Sequence, residues 1–212
     1  MKKFIAIDVD GVLTDGFHTK LISFHNERTK KEPLIIDHLH DDIREYFHKS
    51  DVTWKEGREF VFKEGFVLDF EPKKEAIEFI YQLRQQNIPF KICTAPYVGH
   101  RLWMGERAEW LKTYFDVQAN DVIFARDKSV VAALSLIDDK ISNCVEWSEQ
   151  NEGKTAFLIS QPWNIKVENL EKTLFPDCAE KIHYSFNNKI NMTRTNDFKY
   201  ILETVKRRFF KN

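Results

Sequence analysis

Short apolar runs, each ending on polar residues, alternate along this chain with longer stretches whose apolar positions recur at helical spacing. Phe4 to Ile7 is too short for a helix and reads as a buried parallel strand. After residue 70 the alternation becomes regular. Pro72 stands at a first helical position, and Ala76, Ile77, Ile80 and Leu83 follow at helical spacing until Asn87 and Pro89 break the pattern. Phe90 to Cys93 reads as a strand running out into Thr94-Ala95-Pro96, and Ala108, Leu111, Tyr114 and Phe115 mark the helix after it. Val122 to Ala125, Leu134 to Ile137 and Ala156 to Ile159 are the next strands, the last closed by Gln161-Pro162-Trp163. Phe198, Ile201, Leu202, Val205 and Phe209 form the stripe of a C-terminal helix capped by Asn196 or Asp197. This repetition predicts an α/β fold, a Rossmann-like parallel sheet covered on both faces.

Two segments depart from the rhythm. Residues 17–70 are rich in charge and aromatics, with helical apolar spacing around Ile43–Phe47 and Phe60–Phe66. They read as an inserted, mostly helical cap, leaving 1–16 and 71–212 as the core. Residues 165–195 are polar and read as an irregular surface excursion before the final helix.

Composition narrows the partner. Hydrophobic residues make up 42% and phenylalanine alone contributes 18, enough for a real core. The 32 Lys and Arg nearly cancel the 33 Asp and Glu, for a net charge of -1, which argues against coating nucleic acid or an anionic membrane. A small molecule met through a local charged pocket fits better, and a homodimer is left open. Cys93, Cys144 and Cys178 are far apart and lack zinc-site spacing, as expected of reduced thiols in a cytosolic protein. Lys2 and Lys3 precede an apolar stretch that Asp8 interrupts, so no signal-peptide core forms, and no stretch approaches a membrane span. The expectation is a cytoplasmic protein.

The strand ends carry the chemistry. The first offers Asp8 and Asp10, the second Thr94, the third Lys128 just beyond it, and the fourth Asp138 with Asp139. In a parallel sheet these ends share one edge, where α/β proteins bind ligands. Clustered carboxylates with one lysine and one hydroxyl suit a hard divalent cation and a phosphate; Mg²⁺ prefers such oxygen ligands. A carboxylate can act as nucleophile on phosphorus, while lysine and hydroxyl hold the oxygens on which charge develops. His38 and His40, within Asp37–Asp42, lie two apart and would not share a helix face, so they read as helix-start polar residues rather than a metal site. Lys206 to Arg208 reads as a charged helix end that favours the dipole.

The order Asp8-Val-Asp-Gly-Val-Leu-Thr-Asp15, then Thr94, Lys128 and Asp138-Asp139, resembles the haloacid dehalogenase superfamily of phosphohydrolases. Within it, Ile92-Cys-Thr-Ala-Pro96, Gly105-Glu-Arg-Ala-Glu-Trp110, Ala125-Arg-Asp-Lys-Ser-Val-Val and Leu136-Ile-Asp-Asp-Lys140 are similar to motifs of the 5'(3')-deoxyribonucleotidases. The likeness is dense over residues 4–15 and about 60–164, and weak over 18–58. It implies Asp8 as nucleophile and Asp10 as general acid and then base. It also implies Mg²⁺ held by Asp8, the Asp10 carbonyl and Asp139, with Asp138 orienting the ligands. Thr94, the Ala95 amide and Lys128 would grip the phosphoryl group. Arg107 and Arg126 match basic substrate contacts, and Phe17 and Phe66 the base pocket. Gly16 before Phe17, and Tyr97-Val98 after Pro96, depart from the family pattern near the substrate. The resemblance thus implies a Mg²⁺-dependent phosphomonoesterase acting on (deoxy)nucleoside monophosphates through an aspartyl-phosphate. The competing readings are a phosphatase for another small phosphomonoester or a nucleic-acid 3'-phosphate, and a non-catalytic nucleotide-binding module.

Overall fold

The computed structural model describes residues 3–35, 44–48, 50–165, 182–186 and 190–210. The strands are β1 (Ile5–Ile7), β2 (Phe90–Thr94), β3 (Val122–Phe124), β4 (Ser135–Asp138), β5 (Thr155–Leu158), β6 (Ile182–Phe186) and β7 (Ile190–Arg194). They make one sheet in the order β3-β2-β1-β4-β5-β7-β6. All pairings are parallel except that of β6 with β7, so the α/β reading stands with an antiparallel edge strand added.

Side chains alternate between the two faces as the pleat requires. Ile5, Ile7, Ile137 and Phe157 join one apolar cluster, whereas Ala6, Leu136, Ala156 and Leu158 join another on the opposite face. The first cluster is covered by α4 (Lys74–Gln85), α5 (Trp103–Phe115) and α8 (Phe198–Phe210), which contribute Phe79, Ile80, Trp110 and Ile201. The second is covered by α6 (Ile141–Gln150), through Cys144 and Trp147, and a short α7 (Pro162–Ile165) follows β5. Asp197 caps α8 by accepting from the Tyr200 amide at 3.0 Å.

Two apolar stripes sit differently from their expected faces. On α4, Phe79 takes the buried place and Ile77 is 40% exposed. On α5, Tyr114 is largely exposed while Arg107, a charged residue no hydrophobic pattern would select, is fully buried. The stretch 165–195 is corrected more substantially, because it carries β6 and β7. Ile-His-Tyr-Ser-Phe and Ile-Asn-Met-Thr-Arg alternate apolar and polar positions, so their composition looks like loop although Met192 packs into the sheet core. Residues 166–181 and 187–189, like the Asp37–Asp42 stretch, lie outside the described residues.

The chain leaves the sheet after Thr14 through α1 (Gly16–Asn26), α2 (Arg44–His48) and α3 (Trp54–Val61), and returns at Pro72. A capping box between Thr53 and Glu56 starts α3. Departure and return are tied together. Thr14 Oγ1 donates to the Glu71 carbonyl at 2.7 Å, the Lys73 amide donates to the Leu13 carbonyl at 2.8 Å, and Lys73 pairs with Asp15 at 2.8 Å. Leu21, Phe24, Phe47 and Val61 of this segment belong to the same apolar cluster as β1.

At the start of α1, Gly16 sits against the Phe70 ring, where an added Cβ would lie 2.3 Å from ring carbon Cγ. Gly16→Ala is therefore expected to destabilise the protein by about 1–3 kcal/mol, the usual cost of overpacking. Urea denaturation measures this, and an unchanged midpoint would show that the contact is not tight.

Candidate active site

Local backbone rules place the acids. Asp8 follows β1 directly, and its amide donates to the Ile137 carbonyl of the neighbouring strand at 2.9 Å. The chain then tightens into a turn in which the amides of Val12, Leu13 and Thr14 all reach the Val9 carbonyl. Gly11 makes that turn with φ 75°, in the left-handed region that glycine tolerates. A Cβ there would stand 2.2 Å from Asp139 Oδ2, so the glycine also lets the acidic loop of β4 approach the first one. The Gly11 carbonyl accepts from Lys73 Nζ at 3.1 Å and from Gln161 Nε2.

The strand ends meet as their order in the sheet requires. Carboxylate oxygens of Asp8, Asp138 and Asp139 lie within 4.8 Å of one another. Lys128 Nζ bridges two of these acids, 2.8 Å from Asp8 and 2.5 Å from Asp138. Both Asp138 oxygens are further engaged by the Lys140 amide and by Asn143, which leaves this acid an orienting role. Trp163 Nε1 donates to Asp139 Oδ2 at 2.6 Å. Thr94 Oγ1 is buried beside the acids and has no hydrogen-bond partner among the described residues.

Burial pushes Asp8 up to about 7; Lys128 opposes that rise, and Asp138 and Asp10 add to it. Asp139 is likewise held well above the ordinary carboxylate range, first by burial and then by Asp138 and Asp8. For Lys128 burial favours the neutral amine, but Asp138 and Asp8 overcome it and hold the ammonium charged. Three desolvated acids against one ammonium are short of positive charge. Their donor atoms are oxygens only, with no histidine or cysteine in the group, which fits a hard divalent cation better than zinc.

Asp10 stands outside that three-acid group, and Arg107 Nη2 lies 2.8 and 2.9 Å from its two carboxylate oxygens. The guanidinium stands 5.3, 5.0 and 5.8 Å from the ring centres of Phe70, Trp103 and Trp110, while its Nε and Nη1 lack hydrogen-bond partners among the described residues. Arg107 thus reaches the site through Asp10 and is enclosed by rings rather than open to a ligand.

Two adjoining cavities open from the sheet edge. The inner, of about 230 Å³, is lined by Asp8, Asp10, Thr94, Lys128, Asp139 and Asn143 among others. The outer, of about 880 Å³, lies beneath α2 and α3 and is walled by Phe17, Trp54, Tyr97 and Trp103. Asp10, Phe17, Ala95 and Lys140 line both. Arg126 lies on the outer wall. Phe66 does not: it is 3% exposed and packs edge-on behind Phe17, with ring centres 6.0 Å apart. Sequence reasoning missed His18, whose ring stacks on Trp163 at 4.0 Å, inside the inner cavity. Burial lowers His18 to about 4, so the ring is neutral at physiological pH. A lone histidine between Phe17 and Thr19 carries no pattern that would have singled it out.

No helix among the described residues is long and apolar enough to cross a membrane. Residues 2–188 match the family described as 5' nucleotidase, deoxy (pyrimidine), cytosolic type C protein. The human cytosolic-type 5'(3')-deoxyribonucleotidase is 29% identical over 142 residues, covering 64% of this chain and 70% of its own. The human mitochondrial 5'(3')-deoxyribonucleotidase is 26% identical over 147 residues, covering 64% of this chain and 61% of its own. A family IA, variant 3 HAD hydrolase from Entamoeba histolytica superposes with a TM-score of 0.51 at 16% identity, over 97% of this chain and all of that one, a likeness of fold. With four strand ends in the expected order and a family match along most of its length, the chain belongs to the cytosolic type C deoxy-5'-nucleotidase family of hydrolases, built on the haloacid dehalogenase fold.

Proposed function

We propose that this protein is a Mg²⁺-dependent phosphomonoesterase that removes the phosphate of deoxyribonucleoside monophosphates by way of an aspartyl-phosphate on Asp8. The observation that carries this reading is the charge-deficient cluster of Asp8, Asp138 and Asp139, bridged by Lys128 at an inner cavity that adjoins an outer one large enough for a nucleoside. The names of the human relatives support the substrate class. The cytosolic-type relative also supports a cytoplasmic setting.

In this mechanism Asp8 attacks phosphorus from the inner cavity, and the bond to the leaving nucleoside oxygen breaks. Asp10, held in place by Arg107, gives that oxygen a proton and then takes one from the water that hydrolyses the acyl phosphate. Lys128 and Thr94 hold the oxygens of the transferring phosphoryl group, the threonine hydroxyl being uncommitted to any described residue. Bound by Asp8, the Asp10 carbonyl and Asp139, Mg²⁺ would neutralise charge between the nucleophile and the phosphate. Residues 17–70 act as a cap over the leaving group, with Phe17 and its neighbours offering faces to the base.

Asp8→Asn is expected to abolish phosphate release while the purified variant, assayed in chelator at pH 8, unfolds at or above the wild-type temperature. Asp10→Asn should lower turnover by about 10²–10⁴-fold. Wild-type rates in either variant would sink the assignment.

The raised Asp8 and Asp139 pKa values give a pH dependence with a definite sign. An unfolded carboxyl loses its proton near 3.8, while Asp8 in the folded protein keeps its own to about 7. Between those values the folded state binds more protons, so chelated protein loses stability as pH rises through this window. Added Mg²⁺ should raise the unfolding temperature most above pH 7. A melting temperature insensitive to Mg²⁺ at pH 8 contradicts the cation site.

Stacking of a base on the aromatic wall contributes roughly 1–3 kcal/mol by analogy with single strands. That is about ten- to a hundredfold in kcat/KM. A phosphomonoester panel should therefore show dUMP or dTMP ahead of glycerol phosphate; equal rates would keep the phosphatase chemistry and remove the nucleotidase specificity.

A further inference from the structure

The inner cavity holds a polar side chain that the mechanism above leaves idle. His18, in the first turn of α1, lines the same space as Asp8, Asp10, Thr94 and Lys128, and its buried Nδ1 has no hydrogen-bond partner among the described residues. A buried polar atom of this kind is costly unless something meets it. Thr94 Oγ1 is in the same position and is taken up by the phosphoryl group; His18 has no such assignment.

The ring is held in one orientation. It stacks on Trp163 with centres 4.0 Å and planes 19° apart, and it meets Phe17 edge-on at 5.8 Å. Trp163 is itself tied to Asp139 through its indole N–H. The place is the border with the leaving group, since Phe17 and Asp10 line both cavities and His18 stands beside the first and within the field of the second.

Its chemistry narrows the ligand. Burial keeps the ring neutral, with Lys73 adding to that effect and Asp10 opposing it. In either tautomer a neutral imidazole presents one donor nitrogen and one acceptor. Phosphoryl oxygens only accept, and Lys128 and Thr94 already serve them. A hydroxyl donates and accepts at once, and the leaving nucleoside brings one a few bonds from the ester oxygen that Asp10 protonates.

We propose that His18 is a specificity residue that hydrogen-bonds the free hydroxyl of the leaving sugar, which is the 3'-hydroxyl of a deoxyribonucleoside 5'-monophosphate. This rests on the phosphomonoesterase reading above. An analogue without that hydroxyl leaves the buried imidazole unpaired and is disfavoured for that reason.

The test compares kcat/KM for deoxyuridine 5'-monophosphate and 2',3'-dideoxyuridine 5'-monophosphate with Mg²⁺ at pH 8. The wild type is expected to prefer the nucleotide with the hydroxyl by about tenfold, equal to 1.4 kcal/mol. His18→Phe keeps a ring on Trp163 but has no nitrogen, so the ratio should fall close to one through loss on deoxyuridine 5'-monophosphate alone. His18→Gln retains a donor and an acceptor and should keep part of the preference. A role confined to packing would lower both rates together and leave the ratio where it was. A wild-type ratio near one, or a ratio unchanged in His18→Phe, overturns this inference while the phosphatase reading stands. Failure of the wild type to hydrolyse either nucleotide overturns both.

Discussion

Three carboxylates and a single ammonium share one desolvated corner at the carboxyl edge of the sheet, and like charges so placed repel unless something offsets them. Much of the local architecture serves to keep that corner assembled. Asp8 is pinned by its amide to β4, Asp138 by Lys128, Asn143 and the Lys140 amide, and Asp139 by the Trp163 indole. Gly11 permits the approach of the two acidic loops. A buried pair of this kind contributes little net stability. The arrangement is therefore better understood as preorganisation for a cation and a phosphate than as a device for holding the fold together.

A second charged group extends the same logic toward the cap. Arg107 is buried among Phe70, Trp103 and Trp110 and holds Asp10 at the boundary between the two cavities. Two of these rings, Trp103 and Phe70, pack against Phe17 and Phe66, so the wall of the outer cavity and the support of Asp10 are one aromatic cluster. Glu106, one residue earlier on α5, accepts the Gly65 amide at 2.7 Å and ties the insert to the core at a further point. The wall of the outer cavity and the placement of Asp10 are thus coupled through packing.

What could be read from the chain follows from which physical signals are local. Buried parallel strands are short apolar runs, and their polar ends name the site, so Asp8, Thr94, Lys128 and Asp138 were legible with the sheet that gathers them. The sequences of β6 and β7 interleave polar residues with apolar ones, and even the buried positions of β7 include Thr193 and Arg194, so neither strand showed the apolar run of β1 or β4. Arg107 was legible as a basic residue near the site but not as the partner of Asp10, since a contact across 97 positions leaves no trace in spacing. Phe66 and Phe17 share one aromatic signature, and only packing decides that one faces the cavity and the other stands behind it. His18 and Trp163 belong to no periodic pattern; each matters because of what the fold brings beside it.

The central claim is that phosphate passes through a covalent bond to Asp8, and trapping that bond tests it most directly. Enzyme turning over a deoxyribonucleoside monophosphate with Mg²⁺ is quenched with borohydride, which reduces an acyl phosphate to an alcohol, and its peptides are analysed by mass spectrometry. The account predicts reduction at Asp8 alone, dependent on substrate and absent in Asp8→Asn. Reduction at Asp10 or Asp139, or none at any residue during sustained turnover, would contradict it.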